Sequence, residues 1–119
     1  MQKRYLETPN GVIHYYQGGP EDRPPVIFLH QNVSGAKMYE KTIEQLSDKV
    51  HCIAPDLPGF GGSFEPVEIL SISELTAFIH EFITTLGIKR YHTLGNHTGA
   101  GMAAELASMH PDEVLSCTM

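Results

Sequence analysis

Short apolar runs alternate along this chain with stretches of helical periodicity, and their order predicts the fold. Lys3–Glu7 and Val12–Gln17 flank Thr8-Pro9-Asn10-Gly11, a turn signal that predicts an antiparallel hairpin in which Asn-Gly tolerates positive φ. Gly18 to Pro24 reads as a surface loop. Pro25–Leu29 is a continuous apolar run, which suits a strand buried on both faces of a parallel sheet. Ala36–Lys49 is helical in pattern, with Met38, Tyr39, Thr42, Ile43 and Leu46 on one face. Val50–Ala54 predicts a second buried strand, ended by Pro55. Leu57–Pro66 is rich in glycine and proline and predicts a loop.

The clearest helix follows. Ser71 caps it and Glu74 sits three residues on, the spacing of a capping box. Ile72, Leu75, Ile79, Phe82, Ile83 and Leu86 form its apolar stripe, and Gly87 is placed to end it in a left-handed conformation. Tyr91–Leu94 predicts a short strand, Ala100–Met109 a helix of small residues, and Val114–Met119 one more buried strand. The alternation predicts one α/β domain over residues 1–119: a mostly parallel doubly wound sheet with an N-terminal antiparallel hairpin and helices on both faces. Ligands in such sheets bind beyond the carboxyl ends of the strands. Three loops leave those ends, His30–Gly35, Asp56–Ser63 and Gly95–Gly99, and the unusual residues sit in them.

Gly95-Asn96-His97-Thr98-Gly99 lies between a predicted strand and a predicted helix. A reversal in so few residues crowds the backbone, so the flanking positions need glycine. Gly99, Ala100, Gly101, Ala103 and Ala104 are small enough to let the helix approach the sheet. His97 is then forced out over a helix N-terminus, where the Thr98 N–H can meet a developing oxyanion.

These residues resemble the α/β-hydrolase fold family. The run from Gly87 to Gly99 resembles that family's nucleophile elbow and the strand leading into it. Leu29-His30-Gln31-Asn32 resembles the His-Gly-x oxyanion loop after the third strand, and Asp56-Leu57-Pro58-Gly59-Phe60-Gly61-Gly62-Ser63 the Asp-x-Pro-Gly-x-Gly-x-Ser loop after the fourth. The resemblance implies a partial α/β-hydrolase fold, descended from enzymes that hydrolyse small carbon–oxygen or carbon–carbon bonds. It implies an oxyanion hole from Asn32 and Thr98, and a substrate region that includes His30, Gln31 and Phe60. His97 stands where the family has Ser, Asp or Cys, and Gln31 where it has glycine. The acid that the family places after its seventh or sixth strand, and the histidine after its eighth, have no counterpart in these 119 residues. The resemblance is therefore to the N-terminal half of the fold, without the cap and the C-terminal strands.

A helix N-terminus favours neutral imidazole, so His97 is a candidate base that activates water, or a nucleophile that forms a labile acyl-imidazole. The alternatives are a pocket that binds a small molecule without turnover, or a truncated inactive fragment. Thr98 is a rival nucleophile, but Asn96 and Ala100 occupy its flanking glycine positions. His30, His97 and Asp56 lie on three adjacent loops, yet no His-x₃-His or Cys-x₂-Cys spacing supports a metal site, and no cofactor is implied. His30 reads as a hydrogen-bonding support for the loop carrying Asn32, and Asp56 and Ser63 as loop caps. Phe60 and Phe64 are candidates for the pocket mouth. His14, His51, His80, His92 and His110 are scattered and carry no assigned role.

Charge narrows the partners. Eight Lys+Arg against 14 Asp+Glu give −6, which argues against nucleic acid and anionic membrane. No apolar run reaches membrane-helix length and no leader pattern opens the chain. Cys52 and Cys117 read as free thiols in a reducing compartment, with the cytoplasm as the expected location. In the family's strand order the sixth strand is internal, so Val114–Thr118 at the end of this chain is expected to be an apolar edge, and the 119-residue polypeptide is expected to self-associate through it or to be only marginally folded. Light scattering on the eluting protein checks this. Dimers or larger species are expected, and a monodisperse monomer with a cooperative melt overturns it.

Overall fold

The computed structural model describes residues 1–119. Its elements in chain order are β1 (Gln2–Thr8), β2 (Gly11–Gly18), β3 (Val26–Leu29), a 3₁₀ turn (Ala36–Tyr39), α1 (Glu40–Leu46), β4 (Cys52–Pro55), α2 (Ile72–Thr85), β5 (Tyr91–Gly95), α3 (Thr98–Met109) and β6 (Val114–Thr118). All lie in or around one six-stranded sheet of order β1-β2-β4-β3-β5-β6. The β1–β2 and β2–β4 pairs are antiparallel, and β3 is parallel to both β4 and β5. β6 pairs parallel with β5 at the sheet edge.

The sheet has two covered faces. One holds Ile13, Tyr15, Ile27, Leu29 and Ile53 against Ile79, Phe82 and Ile83 of α2 and Met102, Ala103 and Leu106 of α3. The other packs Tyr16, Phe28, Cys52 and Ala54 against Ala36, Tyr39 and Ile43. This is the doubly wound arrangement that the element order predicts. Burial is complete for Ile27, Leu29, Phe82 and Ile83, so these strand and helix positions supply the apolar area that drives association of the layers.

The sequence pattern and the structure differ in several places away from the turn after β5. The predicted helix Ala36–Lys49 is split, its first turn being 3₁₀. There the Asp56 carboxylate accepts the Ala36 N–H at 2.7 Å, and the Tyr39 hydroxyl donates to the Leu29 carbonyl at 3.0 Å. Met38, Thr42 and Leu46 are exposed, and the buried face narrows to Ala36, Tyr39 and Ile43. The second buried strand starts at Cys52, because the Val50 N–H still closes the helix by donating to the Leu46 carbonyl at 2.8 Å. In the hairpin Pro9 and Asn10 form the two-residue loop and the positive φ falls at Gly11, where Phe64 packs too close for a Cβ. β6 is not fully buried: Leu115, Ser116 and Thr118 are exposed along an edge paired on one side only.

The helix signals are realised in detail. Ser71 and Glu74 form a reciprocal capping box, and Gly87 ends α2 at φ 78°. Cys52 is buried and its thiol is pushed up to about 11 by burial, while Cys117 is half-buried near the edge; both are free. No helix is long and apolar enough to cross a membrane.

Candidate active site

β5 and α3 are joined by two residues, Asn96 and His97. Asn96 and Thr98 flank His97, whose backbone sits at φ 53° and ψ −115°. Such a conformation is costly for any residue with a Cβ. It persists because the strand and helix on either side leave no room for another path. A Cβ on Gly95 would lie 2.6 Å from the Ala100 nitrogen, and one on Gly99 2.6 Å from the Leu29 carbonyl carbon. Both glycines are thus demanded by close backbone approach. Ala103 lies fully buried against the sheet, but Gly101 faces Ile72 of α2 and not the sheet. The helix starts at Thr98, two residues before its predicted start, so the Thr98 N–H opens α3 without an intrahelical acceptor.

The loop after β3 comes to the same end of the sheet. The Asn96 N–H donates to the Leu29 carbonyl at 3.3 Å, and the Asn96 side-chain amide to Gln31 Oε1 at 3.3 Å. Asn32 and Thr98 line one cleft of about 530 Å³ with Phe60, Ile69, Ile72 and Leu75. His97 is exposed at the apex of the turn beside Thr98. Val33, also at positive φ (56°), is the other non-glycine residue held in this region, and its N–H is taken by the Asn32 side chain at 3.0 Å.

His30 lies behind the cleft, fully buried. Its Nδ1–H donates to the Gln31 carbonyl at 2.8 Å and its Nε2 accepts the Leu57 N–H at 2.9 Å. Those bonds fix the neutral tautomer and tie the loop after β3 to the loop after β4. The ring also meets Phe60 edge-on with centroids 5.5 Å apart, so it supports a cleft residue and keeps no free nitrogen for a ligand. Burial pushes the His30 imidazole below its ordinary 6.5. Above pH 6.5 both folded and unfolded chains hold it neutral. As pH falls through 6.5 the unfolded chain takes up the proton first, so stability is lost until the lower folded value is passed. Urea midpoints measured from pH 7.5 downward are expected to fall over that window, and His30→Gln should flatten this part of the decline.

Asp56 is buried, and its role is architectural. Oδ1 accepts the Ala36 N–H, and Oδ2 accepts from His14 Nδ1 at 2.7 Å and the Gly62 N–H at 3.1 Å. Ser63 Oγ donates to the Asp56 carbonyl at 2.7 Å and accepts the His14 N–H at 3.0 Å. The three candidate metal ligands therefore do not converge: His30 and Asp56 are committed to loop contacts and His97 stands in solvent. Phe64 packs edge-on against Phe78 at 5.4 Å and covers Gly11, away from the cleft defined by Asn32 and Thr98. His14 is the residue that the sequence pattern missed. Its signal was weak, a histidine in a strand whose four central positions, Ile13 to Tyr16, are all buried.

Family relationships agree with this geometry. A family model described as alpha/beta hydrolase fold matches residues 24–119. Haloalkane dehalogenase 2 of Mycobacterium tuberculosis (strain ATCC 25618 / H37Rv) is 32% identical over 115 residues, 96% of this chain and 40% of the relative. Epoxide hydrolase 1 of Caenorhabditis elegans is 28% identical over 121 residues, 98% of this chain and 30% of the relative. The crystal structure of a membrane phospholipase A, a bacterial virulence factor, superposes with a TM-score of 0.93 at 29% identity, covering 97% of this chain and 37% of that one. The chain spans 40% or less of the length of each of these proteins. With its strand order and a family match over residues 24–119, this chain belongs to the alpha/beta hydrolase fold family.

Proposed function

We propose that this chain forms the nucleophile-bearing part of a hydrolase acting on a small ester or related carbon–oxygen or carbon–carbon bond, with His97 in the chemistry. The observation that carries the reading is strain. The two non-glycine residues at positive φ are Val33 and His97, each the chain neighbour of a residue that lines one cleft, Asn32 and Thr98. Backbone held in such regions gathers at functional sites.

Imidazole at this position favours acyl substrates. In this reading, attack by neutral His97 on an ester carbonyl forms a C–N bond and an oxyanion, and the Asn32 and Thr98 N–H groups serve as its donors. Collapse expels the alkoxide or phenoxide. Water then adds to the acyl carbonyl and releases the acid, regenerating imidazole. Attack on an alkyl halide would instead leave an N-alkylated ring with no carbonyl for water to enter. Although relatives include a haloalkane dehalogenase, halide turnover by His97 is therefore not expected.

The test is release of p-nitrophenol from p-nitrophenyl acetate by the whole native protein that carries this chain. Saturable turnover is expected, with His97→Ala lowering kcat/KM by about 100-fold or more. An unchanged rate in His97→Ala removes His97 from the chemistry. The second reading, binding without turnover, is favoured by one observation: the His97 side chain is exposed and is not among the residues that line the cleft. Saturable binding of the substrate with no product would select that reading.

A further inference from the structure

We propose that His80, His110 and Glu113 form a binding site for a zinc-type divalent transition-metal ion that fastens α2 to the end of α3 and the approach to β6. The three residues come from separate elements. His80 lies on α2, His110 caps the C-terminus of α3, and Glu113 sits in the turn leading into β6. One ligand atom from each lies within 4.8 Å of the others. His80 Nε2 and Glu113 Oε1 are 2.9 Å apart, and His110 Nδ1 lies 4.0 Å from Glu113 Oε2.

The cluster is pre-assembled by its surroundings. The Glu113 N–H donates to the His110 carbonyl at 3.0 Å and the Tyr91 N–H to the Glu113 carbonyl at 3.0 Å, so the backbone between the ligands is fixed. The Tyr91 hydroxyl donates to Glu113 Oε1 at 3.1 Å, the kind of outer contact that orients a ligating carboxylate. All three side chains are between a quarter and a third exposed, so an ion can reach them from solvent and keep a water in the remaining position.

Two imidazoles and a carboxylate suit zinc-like ions far better than calcium or magnesium, which take oxygen sets. Binding replaces the contact between His80 Nε2 and Glu113 Oε1. It also requires the two imidazoles to tilt, because their rings now stack in parallel at 3.6 Å. The site lies at the opposite end of α3 from His97, about 18 Å along a 12-residue helix, and so acts on the fold and not on the proposed chemistry.

The experiment is Zn²⁺ titration of untagged, chelator-treated chain, read by calorimetry and by melting temperature, with Co²⁺ absorption reporting coordination. One Zn²⁺ per chain, a melt raised by several degrees and a tetrahedral Co²⁺ spectrum are expected. His80→Ala and Glu113→Gln should abolish all three, while the surface variant His92→Ala and the elbow variant His97→Ala keep them. Tyr91→Phe should weaken binding about tenfold while retaining stoichiometry. Circular dichroism confirms that each variant is folded in the absence of metal. If wild type shows no stoichiometric Zn²⁺ binding, or if binding survives His80→Ala combined with His110→Ala, the site is overturned.

Discussion

Gly99→Ala is expected to leave the chain without a cooperative unfolding transition, or with a stability lowered by more than about 4 kcal/mol, the range reserved for severe steric or cavity defects. The added Cβ would overlap the Leu29 carbonyl oxygen and lie 2.6 Å from its carbon and 2.9 Å from the His30 oxygen. All three are backbone atoms of β3 and the residue after it, so no side-chain rotation relieves the overlap. Relief requires α3 to lift from the sheet. That opens the contact layer of Met102, Ala103 and Leu106, each fully buried, and pulls Asn96 from its bond to Leu29. Against a typical total of roughly 5–15 kcal/mol, such a loss is decisive. Gly101→Ala is the matched control. Its Cβ would meet Ile72 Cδ1 at 3.5 Å, ordinary contact, and alanine in a helix interior gains up to about 1 kcal/mol over glycine. Urea melts of the two variants side by side separate the claims. Equal midpoints for Gly99→Ala and wild type would mean that the elbow is not set by backbone approach.

That contrast marks what was legible in the sequence. Local chemistry was. The capping box at Ser71 and Glu74, the stop at Gly87 and the crowded turn between Gly95 and Gly99 each involve residues a few positions apart, and each occurs as the pattern predicts. The alternation of strand and helix was legible for the same reason, since periodicity is a local property. The role of Gly101 was not, because which side of α3 meets the sheet and which meets α2 is fixed only when both are packed. The break in the helix after Ala36 was hidden too, since the acceptor that reshapes its first turn is Asp56, 20 residues downstream. The stacked pair His80 and His110 follows the same rule. His110 and Glu113 are three residues apart, but their third member, His80, lies 33 residues before Glu113, so no local spacing announces the cluster. His14 was missed because its partner Asp56 lies 42 residues away.

Asp56 gathers most of these long-range contacts, which makes its removal the second large effect. Asp56→Ala is expected to destabilise the chain by about 3–5 kcal/mol, the usual cost of leaving the partners of a buried charge uncompensated. Three donors lose their acceptor together: the Ala36 and Gly62 N–H groups and His14 Nδ1. Water does not readily replace the carboxylate, because the residue is 5% exposed and the space around it is so filled that a Cβ on Gly61 would lie 2.6 Å from Oδ1. Asp56→Asn should fall between alanine and wild type. Its carbonyl can still serve Ala36, but its amide then faces the Gly62 N–H donor to donor. A cycle with His14→Ala isolates the pair, and a coupling of about 0.5–3 kcal/mol is expected. The same clamp ties the 3₁₀ turn at Ala36 to the loop that carries Phe60, a residue of the cleft lining. Loss of p-nitrophenyl acetate turnover should therefore accompany loss of stability in Asp56→Ala, and persist at temperatures where the variant is still folded. A destabilisation under 1 kcal/mol with unchanged turnover would mean that His30 and Ser63 suffice to hold these loops, and that the buried carboxylate does not organise the site.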